Sequence, residues 1–371
     1  MNHSRCLFFV LSLMLFISCR ESELSELDVR DNLGLDEKRS NESFNINHEE
    51  FEDSLNKITY LVKTAEIGDS FSSDENDFFA EISDITIDNS DYLYVADSKM
   101  HRVFKFDSKH NFIFSFGRQG QGPGEFTGRL MISARDNKIY VSDHGNYRLL
   151  IFSSEGILLK QFPLPRNTYD RVIANSRGDM FLLSESGFFI LDHYDASFKY
   201  IQSLLDLEYL LEFPLEFPPE KIYRQLMKMS PTSSFVLKLI SNKDEICLVL
   251  NNSHSVICLD EHLNIKKQFR IEHPRFIADL KKRLTISKQK ENWINAFGSA
   301  FFDNNGNICI CYYNAITNIP EIYRYRASGE FIDTIRIAEF NPSSNRIVEY
   351  CDSERNFYGI DIEKSKILVY R

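Results

Sequence analysis

Residues 85–117 (ITIDNSDYLYVADSKMHRVFKFDSKHNFIFSFG) and residues 131–162 (MISARDNKIYVSDHGNYRLLIFSSEGILLKQF) repeat one pattern of short apolar strands separated by polar turns. The two segments superpose with Tyr94 on Tyr140 and with Asp97 on Asp143. A repeat of this length, built only from strands and turns, is typical of small antiparallel sheets arranged as blades around a central channel. The sequence therefore predicts an all-β fold of the β-propeller type.

Four weaker copies keep a turn followed by a hydrophobic second strand. They are RGDMFLL (177–183), KDEICLVL (243–250), NGNICICY (305–312) and ERNFYGID (354–361). Together with the two clear copies they predict six blades. Because a four-stranded blade needs roughly 40–45 residues, the longer steps predict insertions at 205–234 and 272–297. A proline-broken start followed by a short helix in the first insertion, and the helical spacing of Phe276, Leu280 and Leu284 in the second, predict short helical segments on one face of the ring.

The last copy supplies only three strands before the chain ends at Arg371, whereas residues 58–68 (ITYLVKTAEIG) form a strand with no local partner. If that N-terminal strand is the outer strand of blade six, both irregularities disappear and the ring is closed. Closure also removes open sheet edges, which promote aggregation. We therefore expect residues 53–371 to form a six-bladed propeller closed by an N-terminal strand.

The two clearest copies resemble the NHL repeat, through YVADSKMHRVFKFD (94–107) and YVSDHGNYRLLIF (140–152). The linker GRQGQGPGEF (117–126) is similar to one found in that family and in six-bladed propeller lipoproteins of Bacteroidetes type. The resemblance is specific over residues 85–163 and architectural beyond them. It implies the propeller fold, whereas function transfers weakly between proteins that share a fold.

The N-terminus, MNHSRCLFFVLSLMLFISC (1–19), has a basic residue, a short apolar run and a small residue before a cysteine. This pattern predicts a lipoprotein signal peptide over 1–18 and lipidation at Cys19. An ordinary signal peptide cleaved elsewhere is the alternative. Residues 19–52 are rich in acidic and polar residues and predict a flexible tether. We expect an outer-membrane lipoprotein of the cell envelope, facing the periplasm or the cell surface, with its lipid as the membrane contact.

Composition excludes several classes of function. The net charge of −11 without a basic stripe argues against a nucleic-acid partner. There is no P-loop, HExxH or GxSxG motif, and the Gly-rich run 117–124 is not followed by a helix that could hold a pyrophosphate. The predicted inner strands contain no histidine. We therefore expect no catalytic residue, no metal and no cofactor.

After removal of Cys6 and acylation of Cys19, five cysteines remain, none at a metal-binding spacing with histidine. Cys247 and Cys258 face each other if the hairpin between them turns at residues 252 and 253. One interpretation is a disulfide between Cys247 and Cys258, and the favoured interpretation is that both are buried free thiols.

The candidate ligand site follows from the insertions, which should rise as a partial lid over the channel. If the channel mouth binds a ligand, Trp293 offers a stacking surface, His144 and Asn146 offer hydrogen bonds, and Arg129 and Arg171 offer positive charge. Purely structural roles for these residues remain as alternatives. The insertions would then only cover hydrophobic blade edges, His144 would be a solvent-facing turn residue, and the arginines, placed just before inner strands, would pair with acidic residues of the rim.

The sequence thus favours a lipid-anchored β-propeller that acts as a binding or scaffolding module, for a glycan, a peptide or a partner envelope protein. The alternative is an enzyme, a propeller lyase or lactonase with a metal in the channel. The NHL resemblance suggests that alternative, because related amidating lyases hold a metal there.

Overall fold

The computed structural model of the chain describes residues 57–68, 79–164, 169–184, 190–205, 236–242, 245–250, 255–271, 273, 297–314, 319–338 and 347–371. All regular secondary structure in these ranges is β-strand. Within them there is no helical segment with the length and apolarity needed to cross a bilayer. The predicted signal peptide, the lipidation residue Cys19 and the predicted tether lie outside the described residues.

The strands form six sheets, and each sheet is one blade of the propeller. Blades one and two contain β3 (Ile82–Ile87), β4 (Leu93–Asp97), β5 (Arg102–Phe106), β6 (Phe112–Phe116), β7 (Leu130–Arg135), β8 (Lys138–Asp143), β9 (Arg148–Ser153) and β10 (Leu158–Pro163). Blades three and four contain β11 (Tyr169–Ala174), β12 (Met180–Ser184), β13 (Ile190–Tyr194), β14 (Tyr200–Leu205), β15 (Val236–Asn242), β16 (Glu245–Leu250), β17 (Ser255–Leu259) and β18 (Ile265–Arg270). Blades five and six contain β19 (Phe297–Phe302), β20 (Ile308–Asn314), β21 (Ile319–Tyr325), β22 (Phe331–Ile337), β23 (Ile347–Cys351), β24 (Phe357–Asp361) and β25 (Lys366–Tyr370).

The ring is closed, because the first strands of successive blades contact one another in cyclic order and β23 contacts β3. Six buried hydrophobic clusters lie between the blades, one at each of the six interfaces, including the interface between blades six and one. The six-bladed all-β architecture predicted from the repeats is confirmed.

The second strand of each blade supplies both neighbouring clusters, since alternate side chains of a strand point to opposite faces. In β4, which is buried along its whole length, Leu93 and Val95 pack in the cluster shared with blade six. Tyr94 and Ala96 pack in the cluster shared with blade two. Each large side chain buried in this way contributes about 1.5–3 kcal/mol, which explains why the second strands carried the clearest repeat in the sequence.

The N-terminal segment forms two strands, where the sequence predicted one. β1 (Ile58–Leu61) runs parallel to β22 as a fifth strand of blade five. β2 (Lys63–Ile67) pairs antiparallel with β25 and is the fourth strand of the sheet of blade six. Between them, Val62 exchanges two backbone hydrogen bonds with Arg371, of 3.0 and 2.9 Å. The segment forms two strands because blades five and six diverge around the ring, so that a single straight strand cannot pair with both.

Two further predictions concern regions between blades. Residues 206–235 and 274–296, which contain almost all of the two predicted helical insertions, lie outside the described residues, as does Trp293. The favoured reading of Cys247 and Cys258 as free thiols is wrong, because they face each other across β16 and β17 and form a disulfide. Both are fully buried between blades four and five. Their adjacency in register brings the two sulfur atoms within bonding reach. The other three described cysteines, Cys309, Cys311 and Cys351, are free thiols.

Candidate channel-mouth site

The first strand of each blade lines the channel, and five of these six strands share an irregularity. β3, β11, β15 and β19 each shift register against their second strand near the end at which the chain enters the blade, and β23 shifts register in its middle, between Val348 and Tyr350. Such a bulge re-aims a side chain and raises local twist. Immediately after the shift lie Asp84, Arg171, Lys238, Ser299 and Tyr350. Of these residues, Arg171 contacts both Asp84 and Tyr350 in the channel.

Arg171 is the centre of this arrangement. Its guanidinium lies 3.4 Å from Asp84 Oδ1 and 3.4 Å from the hydroxyl oxygen of Tyr350. The side chains of Arg171 and Asp84 are 11% and 1% exposed. Since Arg171 belongs to blade three and Tyr350 to blade six, which lie opposite each other in a six-bladed ring, the side chain of Arg171 reaches across the channel. Asp84 connects this pair to blade one.

The other contacts of these residues fix their positions. Asp84 Oδ2 accepts a hydrogen bond of 2.9 Å from the backbone N–H of Ile132, so this carboxylate also caps the inner strand of blade two. One turn of the pleat further along, Thr86 accepts one of 3.2 Å from the N–H of Ala134. Inner strands are sheet edges with free backbone groups, and side chains of the preceding blade satisfy them here.

Electrostatics keep Arg171 charged despite its burial. Burial alone lowers the pKa of a guanidinium, but the negative charge of Asp84, followed by interactions with Tyr350 and Glu349, outweighs burial and raises the pKa of Arg171 above its ordinary value. Burial raises the pKa of Tyr350, and the neighbouring Arg171 opposes that shift only in part. At neutral pH the mouth therefore holds the Arg171 cation beside the neutral phenol of Tyr350 and near the two acidic residues Asp84 and Glu349.

The position of Arg171 in the inner strand differs from the position predicted from the sequence. The sequence placed it just before an inner strand, whereas it is the third residue of β11. The inner strand starts earlier than its hydrophobic run suggests, because the bulge accommodates polar residues at its entry. Arg171 forms an ion pair with Asp84, which agrees with the alternative that the arginines pair with acidic residues of the rim. Glu125, in the linker between blades one and two, pairs with Arg118.

Three other predicted site residues lie together in a different place, at the connection between blades one and two. Arg129 is exposed, and its carbonyl accepts a hydrogen bond of 3.1 Å from the N–H of His144. The amide of Asn146 donates to Asp143 Oδ2 at 2.6 Å and to the carbonyl of Gly120 at 3.0 Å. Asn146 is thus committed to holding the Gly-rich linker, and its role in the described structure is structural.

Arg148 completes the fixation of this linker. It donates hydrogen bonds to the carbonyls of Gln121, Gly122 and Glu125, at 3.0, 2.8 and 2.7 Å. Asp143, the last residue of β8, accepts a hydrogen bond of 3.1 Å from the backbone N–H of Thr127. The Asp and Arg positions that carry the NHL resemblance therefore attach one blade to the next. They do not form a ligand site.

Sequence reasoning missed Tyr350. It lies in β23, and nothing in the five-residue sequence IVEYC of that strand shows which side chain meets a residue from the opposite blade. The only available signal was the alignment of the second strands of blades six and one. Tyr350 lies opposite Tyr358 and Thr86 lies opposite Tyr94, so Tyr350 and Thr86 occupy corresponding positions of their inner strands.

Comparisons with known proteins agree with this fold. Residues 72–174 match a family described as a 6-bladed beta-propeller. No curated protein matches the sequence significantly. Among solved structures, virginiamycin B lyase from Staphylococcus aureus is similar with a TM-score of 0.51 at 10% identity, over 84% of this chain and 98% of that one. A Bacteroides fragilis protein described only provisionally as exported has a TM-score of 0.50 at 13% identity, over 85% of this chain and 99% of that one.

At these identities the likeness shows the fold alone. The protein is a six-bladed β-propeller.

Proposed function

We propose that the protein is a lipid-anchored binding module of the cell envelope that recognises an acidic group of its ligand through Arg171 at the channel mouth. The observation that carries the proposal is the position of one charged guanidinium at the centre of the ring, in contact with blades one and six. Channel mouths are a common location for propeller ligands, since side chains from several blades converge there.

Arg171 has spare capacity for a ligand. A guanidinium carries five N–H donors. Among the described residues its hydrogen bonds are those to Asp84 and Tyr350, and both are long for charge-assisted bonds, which are usually about 2.7–2.9 Å. A carboxylate or sulfate that approaches from the mouth would meet unused donors in the geometry that arginine offers to planar anions. A sugar acid within a glycan is the ligand class we favour over a peptide or a partner envelope protein.

The enzyme alternative fits these residues less well. A lyase or lactonase of this architecture would need a metal in the channel, and the described carboxylates near the mouth are Asp84 and Glu349. Both oxygens of Asp84 already accept hydrogen bonds, from Ile132 and Arg171. A metal beside Arg171 would also be repelled by a fixed positive charge. None of the described residues of the inner strands is a histidine.

Four parts of the proposal concern the N-terminal region and the family. We propose lipidation at Cys19, a tether over 19–52 and closure of the ring by β2. The disulfide between Cys247 and Cys258 supports an oxidising compartment outside the cytoplasm, because disulfides persist there and are rare in reducing cytosol. The linker contacts of Asp143 and Arg148 support an NHL-like first pair of blades.

The test is titration calorimetry with trigalacturonate, compared with the neutral maltotriose of the same length. We expect saturable binding of trigalacturonate at low salt and none of maltotriose. Arg171→Gln should weaken binding at least tenfold. Arg129→Gln is the matched control, since Arg129 is exposed and lies outside the cross-channel contacts, and it should change affinity less than threefold. Equal affinity in Arg171→Gln and the wild type would refute the site.

A further inference from the structure

The two cysteines of the disulfide share one face of blade four with a carboxylate. Cys247 in β16 and Cys258 in β17 lie directly opposite each other. Glu245 precedes Cys247 by two residues in the same strand, so both side chains lie on the same face of the sheet. One ligand atom of each of these three residues lies within 4.8 Å of the other two. Among the described residues, this is the one group of three such donors that the fold brings together.

These separations are within reach of a single metal ion. The ligands of a tetrahedral zinc lie at about 2.0–2.3 Å from the ion and roughly 3.3–3.8 Å from one another. While the S–S bond is intact, neither sulfur atom is a thiolate, and the pair binds no metal. Two reduced sulfur atoms cannot stay at bonding distance, so rotation about χ1 of either cysteine separates them towards the spacing that zinc requires.

A lysine holds the carboxylate in position. Lys267 in β18 lies opposite Cys258, which places it on the same face of the sheet. Its ammonium nitrogen Nζ is 2.7 Å from Oε1 of Glu245. Carboxylates that bind a metal commonly have such a second partner, which fixes their orientation. Because a carboxylate has two oxygen atoms, Glu245 can keep this ion pair while it binds a metal ion.

Burial and charge favour a metal complex over bare thiolates. Both cysteines are 0% exposed, whereas the side chains of Glu245 and Lys267 are 16% and 35% exposed. The two charged side chains therefore form the border of the group towards water. Two thiolates and a carboxylate carry three negative charges, which Zn²⁺ and the lysine together cancel. Without the ion, two thiolates buried at this position would be strongly unfavourable.

We propose that the reduced Cys247–Cys258 pair binds one zinc ion together with Glu245, so that blade four is cross-linked either by the disulfide or by zinc. Two thiolates and one carboxylate suit Zn²⁺, and a water molecule completes the tetrahedron. In a reducing compartment the two thiols bind the ion and release two protons. Transfer of two electrons from the thiolates to a disulfide oxidant forms the S–S bond, converts the oxidant to two thiols with protons from solvent, and releases the ion. The site is independent of Arg171.

The test uses protein that lacks residues 1–19, and therefore Cys6 and Cys19, refolded from urea with a phosphine reductant and CoCl₂. The phosphine reduces the disulfide to two thiols and becomes its oxide with an oxygen atom from water. We expect one ion per chain, a tetrahedral Co²⁺ spectrum with a thiolate charge-transfer band, and displacement of cobalt by ZnCl₂. Zinc should raise the melting temperature of the reduced protein relative to the same sample with EDTA. Protein refolded with its disulfide intact should bind no ion.

Three variants make the test specific. Cys258→Ser should weaken cobalt binding at least a hundredfold, and Glu245→Gln at least tenfold. Cys351→Ser is the matched control, because Cys351 is a free, half-buried thiol of blade six, and it should leave the affinity unchanged. Glu245→Gln keeps the test decisive if Cys258→Ser fails to fold, since it retains the disulfide and its folding can be checked in the oxidised form.

Absence of saturable one-to-one binding by the reduced protein would overturn the proposal. Equal binding by the oxidised protein would do the same, because the ion would then not depend on the two thiolates. An unchanged affinity in Glu245→Gln, or a loss in Cys351→Ser as large as that in Cys258→Ser, would place the ion elsewhere and also contradict it.

Discussion

At the scale of single residues, the motif that resembles the NHL repeat is explained by the connection between blades. Arg148 gathers three carbonyl groups of the Gly-rich linker, and Asp143 caps the backbone at Thr127. A motif that looks like a binding signature in the sequence is thus used to fix a loop. The same logic applies to Asp97 in blade one, which accepts from the backbone N–H groups of Ala80 and Glu81.

Replacement of Arg148 tests this role. Arg148→Ala removes three hydrogen bonds from a side chain that is 12% exposed, and we expect a loss of roughly 2–4 kcal/mol in the free energy of unfolding, measured in urea. Arg118→Ala is the matched control, because Arg118 lies in the same linker but is 78% exposed. Its ion pair with Glu125 should contribute less than about 1 kcal/mol. Similar losses in both variants would show that the linker is not held through Arg148.

A second residue-scale prediction concerns pH. His110 of blade one contacts the hydroxyl of Tyr358 in blade six at 3.0 Å, and Tyr358 donates to Asp352 at 2.8 Å. Burial lowers the pKa of His110 below its ordinary value of 6.5, although Asp352 and Asp107 oppose the shift. The unfolded chain therefore takes up this proton first as the pH falls. Stability from neutral His110 is complete above pH 6.5 and declines as the pH falls towards the lowered pKa.

We expect the melting temperature to fall between pH 7.5 and pH 5.5, with a contribution from His110 of at most about 1.4 kcal/mol per pH unit. His110→Gln keeps a polar group at this position but cannot titrate, so its melting temperature should fall less over the same interval. His193, whose pKa is also lowered by burial, will leave part of the decline in place. An undiminished decline in His110→Gln would remove His110 from the explanation.

At the scale of elements, the turns show a repeat that the sequence analysis did not use. Nine hairpin turns among the described residues close with the same two backbone hydrogen bonds, and in most of them an Asp or Asn side chain also accepts from the backbone two and four residues later. The fourth residue is left-handed, as at His110 with φ 67° and Gly178 with φ 83°. These turns begin at Asp88, Asp107, Ser153, Asn175, Asp195, Asp260, Asp303, Arg326 and Asp352.

The strand β2 gives an element-scale prediction. Deletion of residues 20–56 removes no described residue, whereas deletion of residues 20–68 also removes the pairing with β25 and the buried side chains of Leu61 and Ile67. Each of these two side chains contributes about 1.5–3 kcal/mol. We expect the shorter deletion to melt like the wild type and the longer one to melt several degrees lower or to aggregate at the exposed edge of β25. Equal melting temperatures in calorimetry would mean that β2 is dispensable for the ring.

The elements also show what could be predicted from the sequence and why. The second strands were found because both of their faces are buried, so their composition is nearly all apolar. Tyr94 and Tyr140, on which the two clearest repeats superpose, and Tyr358 of the last copy all lie in second strands. The beginning of the inner strand β11 was missed, because its bulge places the polar residue Arg171 there. Contacts between side chains of different blades depend on the closed ring, and no local pattern encodes them.

At the scale of the whole molecule, closure of the ring creates the channel-mouth site. That site needs blades one, three and six, and its residues Asp84, Arg171 and Tyr350 are far apart in the sequence. Charged groups that look like scattered surface residues in the sequence therefore become neighbours only when every interface between blades has formed.

The disulfide gives a prediction for the whole protein and its compartment. Cys247 and Cys258 are fully buried between blades four and five, so a reductant should not reach them in the folded ring. We expect iodoacetamide to label neither residue after treatment with dithiothreitol under native conditions and to label both in urea, as measured by mass spectrometry.

The bond closes a loop with a sequence separation of 11, which corresponds to a stabilisation of about 2–3 kcal/mol. Protein produced in a reducing cytosol without residues 1–18 should therefore carry free thiols and unfold at a lower urea concentration than exported protein. The double variant Cys247→Ala, Cys258→Ala should behave alike in both compartments, which makes it the control for other effects of export. If wild-type protein from both compartments unfolds at the same urea concentration while its thiols differ, the disulfide does not stabilise the ring, and free thiols in the exported protein would remove its support for a location outside the cytoplasm.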